Sequence, residues 1–287
     1  MSDQIRQAVA RERLRARLVG LRKESGLSPG SVIRRTHWSV SKLHRIETGA
    51  VTVQPVDLEA LLRMYGVRDR GQVAELIDLA LISRRRQWWS SYRLDPEYRE
   101  FVAYESEASR ITVYQALLIP GLLQTELYAK AATASIGKKS DDTDVQNAID
   151  VRMRRQAELF GRIAGSRPPE LVALLDGAVL ERPIGGADVM RAQLDHLVEV
   201  ARQPHVRLVV VPLRHGARPG PGGLFELLQF RGTADPDVVF VQSPVKDFVV
   251  KDPDATAAYH DIVDAIVGSG LTRDAAVEEI RRIRDGL

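Results

Sequence analysis

No cysteine occurs among the 287 residues. Disulfides and thiolate-ligated metals are therefore excluded, and a reducing compartment is the expected setting. No apolar run approaches the ~18 residues needed to cross a bilayer. The stretch from Met1 to Arg17 is polar and charged and lacks the hydrophobic centre of a secretory signal. Together these features predict a cytoplasmic protein with no membrane partner. Motifs of the common enzyme classes are missing as well: there is no HExxH, no lysine-terminated phosphate loop and no cysteine nucleophile. The six histidines are scattered, none at metal-ligand spacing from another. His205 and His215 flank one expected strand and Asp176 ends another, a set better read as structural; a nucleotide-handling enzyme stays open on that set alone. The expectation is a non-enzymatic protein with no catalytic residue, no metal and no cofactor.

What is present is ordinary globular composition, 44% hydrophobic and 28% charged, in a chain long enough for two domains. The charge is unevenly placed. Residues 1 to 49 carry eleven Lys/Arg against four Asp/Glu, whereas the rest carries thirty against thirty-four. A basic first domain points to a polyanion partner for that domain alone, although a solvated basic helix face gives the same count.

Leu14, Leu18 and Leu21 recur at helical spacing over Arg11–Glu24, and Gly26 ends that helix. Ser28 followed by Pro29 starts a short second helix to Thr36, a hydroxyl cap before a proline at the first position. His37 and Trp38 form a turn. Ser39 caps a third helix from Val40 to about Thr48, closed by Gly49. Leu58, Leu61, Leu62 and Tyr65 mark a fourth helix and Val73, Leu76, Ile77, Ala80 and Leu81 a fifth. Residues 1–82 are thus expected to form an all-α domain that folds alone, and 83–97 a linker. Within that linker Trp88, Trp89 and Tyr92 follow Arg84, Arg85 and Arg86. The cluster is read as a staple between domains, with stacking on bases the alternative.

Residues 98–287 are expected to form an α/β domain, helix-rich with a mixed sheet. Helices are expected over Glu100–Val113, Leu122–Ala134, Val145–Ile163 and Ala187–Arg202. Leu171–Leu175 and Val206–Val211 read as buried parallel strands. Leu224–Phe230, Val238–Gln242 and Phe248–Lys251 read as antiparallel strands. Two helices, about Asp254–Val267 and Thr272–Arg284, close the chain. The fold class is therefore multidomain, an all-α first domain followed by α/β.

Two short helices joined by a tight turn let the second lie in a DNA major groove while the first braces across the backbone. On the third helix Leu43 and Ile46 must face inward, which leaves Val40, Ser41, Lys42, His44 and Arg45 on or near the exposed face. Ser28, Arg34, Arg35 and Ser39 complete the expected DNA-binding set. Lys42 and Arg45 are expected to divide base and phosphate contact between them. Leu27-Ser28, then Trp38-Ser39-x-Ser41-Lys42-Leu43-x-Arg45-Ile46-Glu47-x-Gly49, resembles the Cro/phage-repressor-type helix-turn-helix of bacterial regulators. That resemblance implies that Glu47 pairs locally instead of touching DNA. It also shows departures: Pro29 and Gly30 where Gln and Glu are usual, Ile33 for a small alanine, His37 for a turn glycine, Val40 for a frequent Gln. These predict weaker DNA binding or an unusual sequence preference.

A second resemblance spans about residues 10 to 285. Glu105-x-Glu107-Ala108-Ser109-Arg110-Ile111, Pro120-Gly121-Leu122-Leu123-Gln124-Thr125-Glu126-x-Tyr128-Ala129 and Arg152-x-x-Arg155-Gln156 resemble the WhiJ-like helix-turn-helix regulators of filamentous actinobacteria. So do Leu180-x-Arg182-Pro183-x-Gly185-Gly186, Met190-x-x-Gln193-Leu194 and Pro212-x-x-x-Gly216. Gly177 departs from a frequent acidic residue. The resemblance implies a transcription regulator, antitoxin-like and often encoded beside a small partner protein, and assigns no biochemical role to its C-terminal domain. The expected partners are double-stranded DNA, a second copy of the chain, and a small protein or ligand bound by the C-terminal domain. Candidate residues for that last partner are Pro120, Gly121, Leu122, Gln124, Tyr128, Gly220 and Phe225, chosen for Gly/Pro geometry beside apolar residues. A buried helix start is the competing reading of the first five, and a long turn that of the Gly216–Gly223 loop. Two alternatives to the sensing regulator remain: a protein-interaction module with a disabled helix-turn-helix, and a small-molecule-sensing repressor.

Overall fold

The computed structural model describes residues 7–84, 87–135, 142–165, 168–216, 224–231, 236–243 and 246–287. It forms two compact units, Met1–Ser90 and Ser91–Leu287.

The first unit is helical: α1 (Gln7–Glu24), α2 (Pro29–Thr36), α3 (Val40–Glu47), α4 (Pro55–Met64) and α5 (Arg70–Ile82). Its core collects Leu14, Leu18 and Leu21 of α1, Val32, Leu43 and Ile46 of α2 and α3, and Leu58, Leu61, Leu62, Leu76, Leu79 and Ala80 of α4 and α5. Each helix supplies one apolar stripe and none is buried all round, so no helix here is stable without the others. Gly26 and Gly49 take φ of 70° and 74° beyond the ends of α1 and α3, the left-handed turn that a side chain resists. Near the end of the unit the Trp88 and Trp89 rings meet edge to face at 5.6 Å; Arg85 and Arg86 lie outside the described residues.

The second unit contains α6 (Pro96–Glu105), β1 (Arg110–Gln115), α7 (Glu126–Ser135), α8 (Asp142–Ile163), β2 (Glu170–Asp176), α9 (Gly177–Glu181), α10 (Ala187–Val200) and β3 (Val206–Val211). After these come β4 (Leu224–Gln229), β5 (Val238–Gln242), β6 (Phe248–Val250), α11 (Pro253–Ser269), β7 (Leu271–Thr272) and α12 (Asp274–Asp285). The strands make one mixed sheet in the order β6-β5-β4-β1-β2-β3-β7. β1, β2 and β3 run parallel, while β4, β5, β6 and β7 are antiparallel to their neighbours. Tyr114, Val172, Leu174, Val209, Val211, Phe225 and Leu227 pack with Val263 and Ile266 of α11 on one face. On the opposite face Phe101 of α6 stacks on Phe240 at 4.0 Å between ring centroids, and Arg155 of α8 reaches Glu226.

Two expectations are corrected. The helix expected over Glu100–Val113 is instead α6 followed by β1. Ile111-Thr112-Val113-Tyr114 is β-branched and aromatic, and β1 sits between β2 and β4 with these residues buried. A strand with partners on both sides satisfies its backbone through them, which a local periodicity cannot reveal. The helix expected from Leu122 begins only at Glu126, because Gly121–Leu123 forms a separate 3-10 turn.

Candidate nucleic-acid interface

The geometry of α2, the turn and α3 follows from their caps. The Ser28 hydroxyl accepts a hydrogen bond from the Ser31 amide, and that of Ser39 accepts from the Lys42 amide at 3.1 Å. Each cap satisfies an amide that the first helical turn leaves without a partner. Between them His37 adopts φ 57°, ψ 28°. This left-handed conformation is free for glycine and costs another residue about 1–2 kcal/mol. The exposed imidazole thus keeps the turn glycine's geometry at that cost. Ile33 is half-buried against the helical core, so its bulk is absorbed there.

The end of α3 is fixed from α1. Arg22 grips Glu47 with two nitrogens, at 2.5 and 3.2 Å, and donates a third hydrogen bond to the Leu27 carbonyl at 3.1 Å. Both side chains are mostly buried. A bidentate pair of this kind holds three segments in one register, and it removes Glu47 from the exposed face, as the resemblance implied.

At about 100° per residue, Val40, His44, Ser41 and Arg45 fall within an arc of about 140° on α3, opposite Leu43 and Ile46. All four are exposed, Val40 by 71%. Ser28, Arg34, Arg35 and Ser39 are exposed as well. Arg34 reaches back to the Ser31 hydroxyl at 3.3 Å, whereas Arg45 makes no ion pair among the described residues. Lys42 differs from its neighbours. It lies about 60° outside the arc on the side of Ile46, pairs with Asp57 of α4 at 2.8 Å, and places its ammonium 4.0 Å from the Trp38 ring centroid. Of the two residues expected to divide base and phosphate contact, Arg45 is presented outward and Lys42 is paired within its own domain. The unit thus offers a capped helix with a mixed apolar, hydroxyl, imidazole and guanidinium face, flanked by two arginines on α2.

The expected partner-binding residues of the second unit are corrected. Pro120, Leu122, Gln124, Tyr128 and Phe225 are buried and only Gly121 is half-buried; Gly220, with residues 217–223, lies outside the described residues. The PGLLQTE string is held by hydrogen bonds from distant side chains. The Gln124 amide donates to the Ile119 carbonyl at 2.6 Å, Gln156 donates to the Gly121 and Gln124 carbonyls, and Gln193 donates to the Leu123 carbonyl while accepting from the Thr125 amide. Tyr128 accepts from the Ile119 amide, and Arg152 donates to the Gln124 side-chain oxygen at 2.8 Å. A turn with so many backbone groups satisfied from inside is a core element, and residues sealed in this way form no docking face. Gly177 also has a steric reason. A Cβ there would stand 2.8 Å from the Leu213 amide nitrogen and 3.1 Å from the Val211 carbonyl oxygen.

Sequence reasoning gave no role to the buried charge cluster beneath α8. Arg155 pairs with both carboxylate oxygens of Glu105, at 2.8 Å for one, stands 3.3 Å from Glu226, and donates to the Tyr98 hydroxyl at 2.8 Å. Its guanidinium lies 4.7 Å from the Phe101 ring centroid. Burial pushes the Glu226 carboxyl up to about 8, against the pull of Arg155 and with the help of the Glu105 charge. Asp176 is committed to capping α9 through the Ala178 amide. Among the described residues no group of three or more His, Asp or Glu is placed to hold a metal ion, and no helix is long and apolar enough to cross a membrane.

A family model described as "Domain of unknown function (DUF5753)" matches residues 98–282, and one described as "Helix-turn-helix domain" matches residues 13–76. No curated protein and no solved structure matches the chain.

Proposed function

The chain belongs to the DUF5753 family, and from that premise we propose that it is a sequence-specific DNA-binding transcriptional regulator of the WhiJ-like, antitoxin-related kind. The observation that carries the reading is the exposed arc of Val40, Ser41, His44 and Arg45 on a helix whose start is capped by Ser39 and whose end is anchored by the Arg22–Glu47 pair. A rigid helix with an outward polar face is what a major groove accepts. The second unit is the regulatory part: it receives a small partner protein or ligand and supplies the contacts of a homodimer, which places two copies of α3 on half-sites about 34 Å apart. The protein acts in the cytoplasm and is not a catalyst.

The test is a salt titration of duplex affinity for the full-length chain. Arg35→Ala and Arg45→Ala each remove an exposed cation, and loss of one phosphate contact lowers the salt slope by about one. If Arg45 reads a base instead, its loss costs about 1–3 kcal/mol and relaxes preference at one position. Lys42→Ala acts differently, because Asp57 and Trp38 already hold that ammonium: its salt slope stays near the parent's. If Arg35→Ala and Arg45→Ala both bind like the parent, the first unit is a protein-interaction module.

A further inference from the structure

We infer that Val40 sets the protein's base preference by contacting the C5-methyl group of a thymine in the major groove. The inference rests on the DNA-binding reading above and adds which chemical group the head of α3 recognises.

Val40 is the first residue of α3, directly after the Ser39 cap, and is 71% exposed. In a helix that enters the major groove, the N-terminal residues are the ones that reach base edges. Most of that face is equipped for polar contact. Ser41 and His44 offer hydrogen-bonding groups and Arg45 a guanidinium, all exposed. Val40 offers none. A valine against a guanine, adenine or cytosine edge covers donors or acceptors without replacing their hydrogen bonds with water, which is unfavourable. Among the four base edges in the major groove, thymine alone presents an apolar group, the C5-methyl. Lys42 takes no part: its ammonium is turned to Asp57 and Trp38, and no flexible cation from that position competes for the same base edge.

The experiment enriches duplexes from a random-sequence pool with the full-length chain, then replaces each thymine of the enriched sequence singly by deoxyuridine. That exchange deletes one methyl group and changes no hydrogen bond. One thymine is expected to show a loss of about fourfold in affinity, the worth of one buried methyl-sized group. In Val40→Ser the same exchange is expected to change affinity by less than about 1.5-fold, since a lost contact has nothing left to lose. Val40 is exposed enough that this change leaves the core untouched. Val56→Ala serves as the control: this valine is also exposed, at the start of α4, and its removal is expected to leave the fourfold methyl dependence intact. A methyl dependence absent at every thymine, or one that survives in Val40→Ser, overturns the inference while leaving DNA binding in place. A pool in which no sequence is enriched removes the DNA-binding reading itself, and this inference with it.

Discussion

Replacing Arg155 by methionine removes a buried cation and keeps most of its aliphatic stem. The parent guanidinium is 5% exposed and is shared by Glu105 and Glu226, both of them buried, under a lid formed by Tyr98 and Phe101. Removing one partner of such a cluster leaves uncompensated charge in a dry layer, which costs about 3–5 kcal/mol. The loss depends on pH with a definite sign. Glu226 already binds its proton as tightly as a group with a pKa of about 8 while Arg155 is present. Without Arg155 the burial and the neighbouring Glu105 charge act unopposed on Glu226, so that carboxyl holds its proton still more tightly and part of the penalty disappears as the pH falls. In the full-length chain the readout is amide exchange of peptides from β1, β2 and β4, corrected for the intrinsic exchange rate. Exchange at pH 8 is expected to speed up by about 10²–10⁴-fold, the same free energy expressed as an opening constant, and by less at pH 5. An acceleration below tenfold at pH 8 would mean that water reaches the cluster. An equal acceleration at both pH values would sink the electrostatic reasoning even if the variant is unstable.

Two further outcomes test the same domain. Glu226→Gln keeps the shape and removes the titration: a carboxyl held at about 8 in the folded chain against 4.5 unfolded contributes stability that is complete below pH 4.5 and lost as the pH rises through about 8. The parent's thermal stability should therefore fall across that window with an added slope of up to ~1.4 kcal/mol per pH unit that the variant lacks; parallel melting curves from pH 5 to 9 would refute it. Leu122→Ala, at a side chain 1% exposed, should destabilise the second unit by about 2–5 kcal/mol, read by urea titration of the same peptides, and a variant as stable as the parent would return Leu122 to the list of surface residues.

The parts legible in the sequence are those whose cause is local. The bounds of α2 follow from Ser28-Pro29, and the start of α3 from Ser39, because a hydroxyl cap or an N-terminal proline acts within one helical turn. Leu171–Leu175 of β2 and Leu208–Val211 of β3 are legible as continuous apolar runs because a strand covered on both faces has no polar side to interrupt it. β1 was not. Its Ile-Thr-Val-Tyr stretch follows a true helix after a short connection, and the element that decides its state, β4, lies more than a hundred residues away. The inward turn of Lys42 was equally hidden: nothing in Ser41-Lys42-Leu43 announces that Asp57 of another helix stands within 2.8 Å.

The PGLLQTE string shows why a long, specific match and a functional surface are different things. Its specificity is a matter of fit. Gln124 must reach the Ile119 carbonyl, and Gln156 and Gln193 must meet the carbonyls and amide of the turn from α8 and α10. A change at any of these positions strands a buried polar group, at about 1–3 kcal/mol each. Such a constraint acts on the identity of every residue in the string at once and needs no ligand. The face of α3 is constrained in the opposite way. Val40, Ser41, His44 and Arg45 touch little of their own fold, so folding leaves their identities free and only what they meet outside can select them. In this chain the most distinctive sequence therefore marks the interior of the second unit, while on the open face of α3 folding leaves the side chains unconstrained.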